Sequence, residues 1–424
     1  MNRSLLLASA VSVFVSGSAF CLADWPEFRG PDQQGHASNT GLPIEWSADR
    51  NVEWRTAIPG LGWSSPIVLD GRIYLTTAVS NDGFKDPDQS LRALCLNARD
   101  GAILWNIEVF KQTSEGAAVD RIHSKNSQAS PTPITDGQHI YVHFGTRGTA
   151  CLSPDGEIAW QTRELKYRPV HGNGGSPILV GDQLIIACDG GDVEYLAALD
   201  KRTGNVLWKQ DRTADHLKKK FSFTTPILIE VNGQPQIISQ GTGAVYAYRP
   251  DGSVIWKASY DDGYSVIPRP VYAHGLVYVG SGYDRAKLLA VDPTGEGDVT
   301  ETHVKWIMTK GAPHTPSPLV VGDELYVVSD RGILTCLDAV SGEEIWQERL
   351  GGNFSASPLS ANGLIYLQSE NGETIVFRPG RKYEEVSRNR LEGEDIRTFA
   401  SYAVIDSSFL IRSETSLFRI TAAR

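Results

Sequence analysis

The 424-residue sequence is poor in sulfur, with two methionines and five cysteines. No two cysteines are adjacent and none stands in C-x-x-C-H, so a covalently attached haem is excluded. The chain also lacks G-x-S-x-G, H-E-x-x-H, a P-loop and a dinucleotide fingerprint, which removes the common hydrolase, zinc-peptidase and nucleotide-binding signatures. Basic residues are outnumbered 40 to 50 and the formal charge is −10, so no basic stripe is available for nucleic acid. Forty-one glycines and 22 prolines punctuate the chain too often for long helices. On these grounds no catalytic residues and no metal ligands are assigned.

A single long apolar run, Leu5 to Phe20, follows Arg3 and ends at Cys21-Leu22-Ala23. This is the pattern of an export signal over residues 1–23, cleaved before Asp24. An uncleaved anchor and lipidation at Cys21 are the alternatives; the run is short and serine-rich for a stable span, and Phe20 does not suit lipidation. No transmembrane span is expected after cleavage. The expected location is the periplasm or cell envelope, with secretion left open.

What the chain does have is a repeat. Trp105 closes ALCLNARDGAILW, Trp208 closes LAALDKRTGNVLW and Trp346 closes LTCLDAVSGEEIW; Trp160, Trp256 and Trp306 close weaker versions. Each unit opens with a Ser-Pro-like step and a short strand, turns on Gly, Asp or Asn, and returns on a strand that usually ends in an aromatic. A third strand, a tight turn and the tryptophan strand complete it. Four antiparallel strands repeated radially make a β-propeller blade.

Openings at Pro66, Pro133, Pro177, Pro226, Pro270 and Pro318 give six complete units. A seventh at Pro358 lacks the tryptophan, with its fourth strand expected near Tyr383 to Val386, and an eighth near Ser401 has room for three strands ending at Ser416 to Ile420. The stretch Asn51 to Ile58, NVEWRTAI, reads as the missing fourth strand. The expected fold is therefore all-β: an eight-bladed propeller over 51–424, closed by 51–58, after an N-terminal arm of 24–50 pinned by Trp25 and Trp46. Seven blades with a loose tail is the alternative. Cys95, Cys151 and Cys336 stand where Ala198, Ala247 and Ala290 stand in other units, which predicts small buried thiols rather than disulfides.

Long loops on a rigid ring are where function concentrates. The loops entering the innermost strands carry Trp63, His123, Asn126, His171, Asn173, Tyr264, His314 and Asn353, the candidate residues for a ligand or partner. Three histidines on separate blades could share a metal, but their unequal spacing from the prolines favours loop capping. Asp189, Asp192 and Glu194 in CDGGDVE could offer oxygen ligands to calcium or form a solvated loop. Lys218-Lys219-Lys220 reads as a solvated loop, and glycan binding through Trp25, Trp46 and Trp63 is a weaker idea.

The phrases LAALDKRTGNVLW and LTCLDAVSGEEIW resemble the tryptophan-docking repeat of PQQ-like (pyrroloquinoline-quinone-like) propellers, over nearly all of residues 50–424. The resemblance implies that Trp54, Trp105, Trp160, Trp208, Trp256, Trp306 and Trp346 dock between blades. It implies one of two functions. Quinoprotein dehydrogenases of this fold hold PQQ and calcium at the centre; BamB-type assembly factors bind protein partners without catalysis. Many of the former carry adjacent cysteines and long inserted loops, which this chain lacks. The expectation is an exported, monomeric, non-catalytic scaffold with a protein partner in the envelope and no cofactor. The alternative is a PQQ- and calcium-dependent oxidoreductase of an alcohol or sugar.

Overall fold

The computed structural model describes residues 25–38, 41–80, 88–113, 122–212, 219–260, 263–391 and 396–422. The export segment with Cys21, and Lys218, lie outside these residues, so neither expectation is addressed by the coordinates.

Eight antiparallel sheets form the ring. Their inner strands are Ile67–Leu69, Ile134–Thr135, Ile178–Val180, Ile227–Val231, Val271–Ala273, Leu319–Val321, Leu359–Ala361 and Ala403–Ile405. The last sheet is completed from the other end of the chain. Val52–Ala57 pairs antiparallel with Ser416–Thr421, setting Trp54 opposite Arg419 and Thr56 opposite Leu417. That pairing covers what would otherwise be an open edge. The seven-blade alternative is thereby excluded. The fourth strand of blade 7 lies slightly later than expected, at Glu385–Arg390. Ser387, opposite Val376, holds the tryptophan position of this blade, and Tyr383 packs on Trp346 of blade 6 at 5.6 Å.

One row of residues explains the repeat. Across blade 1, Ile67 faces Tyr74, Tyr74 faces Cys95 and Cys95 faces Trp105. Blade 6 repeats the row with Leu319, Tyr326, Cys336 and Trp346. The tyrosine and tryptophan rings come within 5.9 and 6.0 Å of each other across the small residue between them. A larger side chain there would hold the rings apart. The four thiols, Cys95, Cys151, Cys188 and Cys336, are buried and free.

Each indole then reaches the next blade. Trp54, Trp105, Trp160, Trp306 and Trp346 donate Nε1–H to the carbonyls of Ala98, Pro154, Lys201, Ala339 and Gly380, at 2.9–3.3 Å. Trp208 donates to both Pro250 O and Gln183 Oε1. Trp256 differs: its N–H reaches Gln236 Oε1, whose amide in turn donates to Pro293 O of blade 5. The cause lies in blade 5, whose turn is enlarged. Within that insertion Gly297–Asp298 adds a parallel strand to the outer edge of blade 4, followed by the short helix Thr300–His303.

The turn glycines are fixed by the same contact. Gly204 has φ +76°, and a methyl there would lie 2.5 Å from Trp160 Cε3. Side chains between neighbouring blades therefore form a core distributed around the ring, one slab per interface. The largest slab lies at the closure, where Trp25, Leu42 and Trp46 of the arm join blades 1, 7 and 8. Trp25 and Trp46 are 1% and 4% exposed, so they serve packing and are not available to a glycan. No helix of the described residues is long and apolar enough to cross a membrane.

Candidate functional site

Inner strands of a propeller leave one edge of backbone groups facing the channel. Here the arm satisfies many of them, always at the residue two places after the opening proline. Val68 N–H donates to Trp25 O at 2.9 Å and Thr135 N–H to Pro26 O at 3.0 Å. The N–H groups of Leu228 and Tyr272 reach the side-chain oxygens of Gln33 and Gln34 at 3.1 and 2.6 Å. His36 Nε2 meets Val320 O at 2.6 Å, and Ser360 exchanges bonds with Gly35 and Ala37. Six blades thus grip one peptide, which crosses the channel and closes it at that level.

Above this plug lies a cavity of about 310 Å³, with Phe28 of the arm among its lining residues. Its walls carry Trp63, Phe221, Phe223, Tyr264, Tyr283 and Phe399. Trp63 meets Phe399 edge-on at 4.6 Å, and Phe221 packs on Phe223 and Tyr264 at 5.6 Å each. Arg397 lies over the Phe399 ring at 5.1 Å and Lys219 over Tyr264 at 4.6 Å, within cation–π range.

Of the eight residues expected at the site, Trp63, His123, Asn126, His171 and Tyr264 line this cavity. His123 and His171 face each other at 5.6 Å, and Asn126 bridges their loops by donating to His171 O. Asn173, His314 and Asn353 do not line it. Asn173 is buried beneath the loop, donating to Gln128 Oε1 and Phe144 O. His314 packs on Tyr283 at 4.7 Å, and Asp330 accepts from its backbone N–H. Asn353 sits on an exposed loop whose carbonyl receives the Glu370 N–H. No group of three His, Cys, Asp or Glu among the described residues could hold a metal.

The acidic stretch is neither a calcium loop nor simply solvated. Asp189 is buried and accepts from Arg212 Nη1 at 2.7 Å, while Glu194 is buried against Thr242. Asp192 alone is on the surface, where it caps Arg168 N–H at 2.7 Å. Burial opposes the charge on Asp189 and the adjacent guanidinium supports it, so the pair locks blade 3 to Ser239 and Gln240 of blade 4.

Several site residues escaped the sequence. Phe28 and Phe399 belong to the arm and to an unremarkable stretch near blade 8, with no motif to flag them. The Ser-Pro step was visible, but only as a strand opening. In the folded ring its hydroxyls, from Ser65, Thr132, Ser176, Thr225, Ser317, Ser357 and Ser401, all line the cavity. Its recurrence at a fixed place in the blade was the available signal.

Comparison with known proteins places this geometry. A family model described as outer membrane protein assembly factor BamB matches residues 88–228 and 298–382, more than half of the chain. A relative of that name in Alkalilimnicola ehrlichii is 30% identical over 155 residues, 35% of this chain and 38% of the relative. One in Shewanella oneidensis is 24% identical over 309 residues, 67% of this chain and 70% of the relative. Among solved structures, BamB from Moraxella catarrhalis superposes with a TM-score of 0.59 at 14% identity, covering 87% of this chain and 96% of that one. Quinohemoprotein alcohol dehydrogenase from Comamonas testosteroni gives 0.65 at 10% identity, covering 95% and 81%. At such identities the two structures share the fold alone. The family match carries further, and the chain belongs to the PQQ-like propeller family whose model is described as outer membrane protein assembly factor BamB.

Proposed function

We propose that the protein is an exported, non-catalytic propeller that holds a protein partner in the cell envelope through the mouth of its ring. The observation that carries this reading is the aromatic-walled cavity, floored by the arm, whose lining among the described residues contains no carboxylate. Aromatic side chains on a rigid rim supply contact area at low entropic cost. The description of the family model, outer membrane protein assembly factor, supports a role that acts on proteins, and the export-like leader agrees with an envelope location.

The same lining speaks against the quinoprotein reading. Calcium takes oxygen ligands and favours carboxylates. Three carboxylates of the described residues bond to lining residues, and each is committed: Asp330 to His314 and Thr315, Glu370 to Lys125 and Ser355, and Asp284 to Tyr264 and Lys219. The described residues of this mouth do not fit a calcium-held quinone. Affinity capture from envelope extracts should recover one reproducible partner with the natural protein and lose it with His123→Ala/His171→Ala/Tyr264→Ala. Capture that ignores the triple replacement would place the partner elsewhere on the ring. Saturable binding of PQQ that depends on calcium would restore the enzyme.

A further inference from the structure

The residue before the strand-opening proline does more than start a blade. In seven blades it is a hydroxyl, and these hydroxyls are linked in a circle. Ser65 N–H donates to Thr132 Oγ1 at 3.0 Å, Thr132 N–H to Ser176 Oγ at 2.9 Å and Ser176 N–H to Thr225 Oγ1 at 3.0 Å. At blade 5 the chain of bonds resumes: Arg269 N–H to Ser317 Oγ at 2.9 Å, Ser317 N–H to Ser357 Oγ at 3.1 Å, and Ser357 N–H to Ser401 Oγ at 3.0 Å. Ser401 N–H closes on Ser65 Oγ at 3.0 Å. One hydroxyl–hydroxyl bond joins Ser357 to Ser317. The protons of Ser65, Thr132, Ser176, Thr225 and Ser401 have no acceptor among the described residues. An oxygen already receiving an N–H is polarised into a better donor.

Around this circle lie three buried guanidinium groups. Arg412 donates to Ser64 O and to Thr76 O, both at 2.8 Å, beside Ser65. Arg29 donates to Pro318 O at 2.8 Å, beside Ser317. Arg269 occupies the eighth position itself, donating to Pro226 O and pairing with Glu27 at 3.0 Å. Among the described residues neither Arg29 nor Arg412 has a carboxylate in ion-pair range. Burial pulls both down to about 9, so both stay charged at neutral pH. Among the described residues the cup is rich in donors, poor in acceptors and bordered by excess buried positive charge, which is complementary to an anion.

The geometry points to the mouth cavity as a receptor for a small organic anion. Its carboxylate or phosphate would sit among the hydroxyls of the ring, and its apolar, ring-sized body against Trp63, Phe221 and Phe399. This inference rests on the mouth being a binding surface, and it names the chemistry the mouth selects. The anion could be a free small molecule or a group borne by the captured partner.

Phenylacetate, phenyl phosphate, benzyl alcohol and phenethylamine form a matched set, titrated calorimetrically into the full protein. Both anions should bind saturably, at least tenfold more tightly than the alcohol, with no binding of the amine. Crystals soaked in 4-bromophenylacetate should show bromine inside the cavity, a readout that needs no variant. Thr132→Val, which keeps shape and removes one hydroxyl, should weaken both anions severalfold while the alcohol is unchanged; its melting curve controls for folding. Equal binding of the alcohol and the anions, or bromine outside the cavity, overturns the proposal. Partner capture is scored separately. If phenylacetate displaces the partner, the anion is partner-borne; if it binds without displacement, the anion is free. Loss of capture in the triple variant without any anion binding would sink this inference and leave the partner reading standing.

Discussion

His143 shows how completely the blades exclude water. It is 1% exposed, and its Nδ1 meets Thr149 Oγ1 at 2.8 Å. Burial alone pushes its pKa down to about 3, so the folded ring holds it neutral. An unfolded chain binds that proton near pH 6.5. Between the two values the unfolded state carries more protons, so stability is full above about pH 6.5 and falls as pH drops toward 3, by up to about 1.4 kcal/mol per unit. His143→Gln should flatten this part of the stability–pH curve, measured by urea unfolding from pH 7 to 4. The same exclusion governs the thiols. Burial raises Cys95, Cys151 and Cys336 to about 12, which predicts no reaction with a disulfide reagent until the ring unfolds.

At the scale of the strand, closure is the exposed point. Val52–Ala57 joins the final blade across the whole length of the chain, and Trp54 carries its contact to the next blade through Ala98. Trp54→Ala should cost about 3 kcal/mol, the lower end of the ~3–5 kcal/mol for truncating a packed aromatic, because Trp54 is half-buried. Leu207→Ala, at a position 50% exposed in an equivalent strand, should cost little; thermal melts of the two variants make the comparison. This closing strand was legible in the sequence because NVEWRTAI repeats the tryptophan phrase with nothing before it. The row of Cys or Ala beside each tryptophan was legible for the same reason, since a fixed spacing means a fixed cross-strand neighbour. Less of the site could be read. Trp63, His123 and His171 were found because loop position predicts the mouth. Phe28 was not, because nothing local in DWPEFRGP reveals that a peptide near the chain start threads a channel built by residues hundreds of positions away. Asp189 was misjudged for a similar reason: its partner Arg212 is brought against it only by the folded sheet.

For the molecule as a whole, the arm turns an open tube into a cup. Its grip depends on Glu27, Arg29 and Arg269, all buried. Arg29→Met should loosen the arm more than the blades. Limited proteolysis should then cut near residues 25–38 while the ring resists, and the cooperative melt should persist at a lower midpoint. Cleavage of the ring at the same rate would mean that arm and blades form one unit. Eight near-equal sectors would offer a guest eight equivalent ways to lie. The circle of hydroxyls breaks once, where Arg269 turns down to meet Glu27. That interruption acts as an index mark on a dial: it removes the rotational degeneracy, so whatever enters the cup meets a surface with a unique orientation.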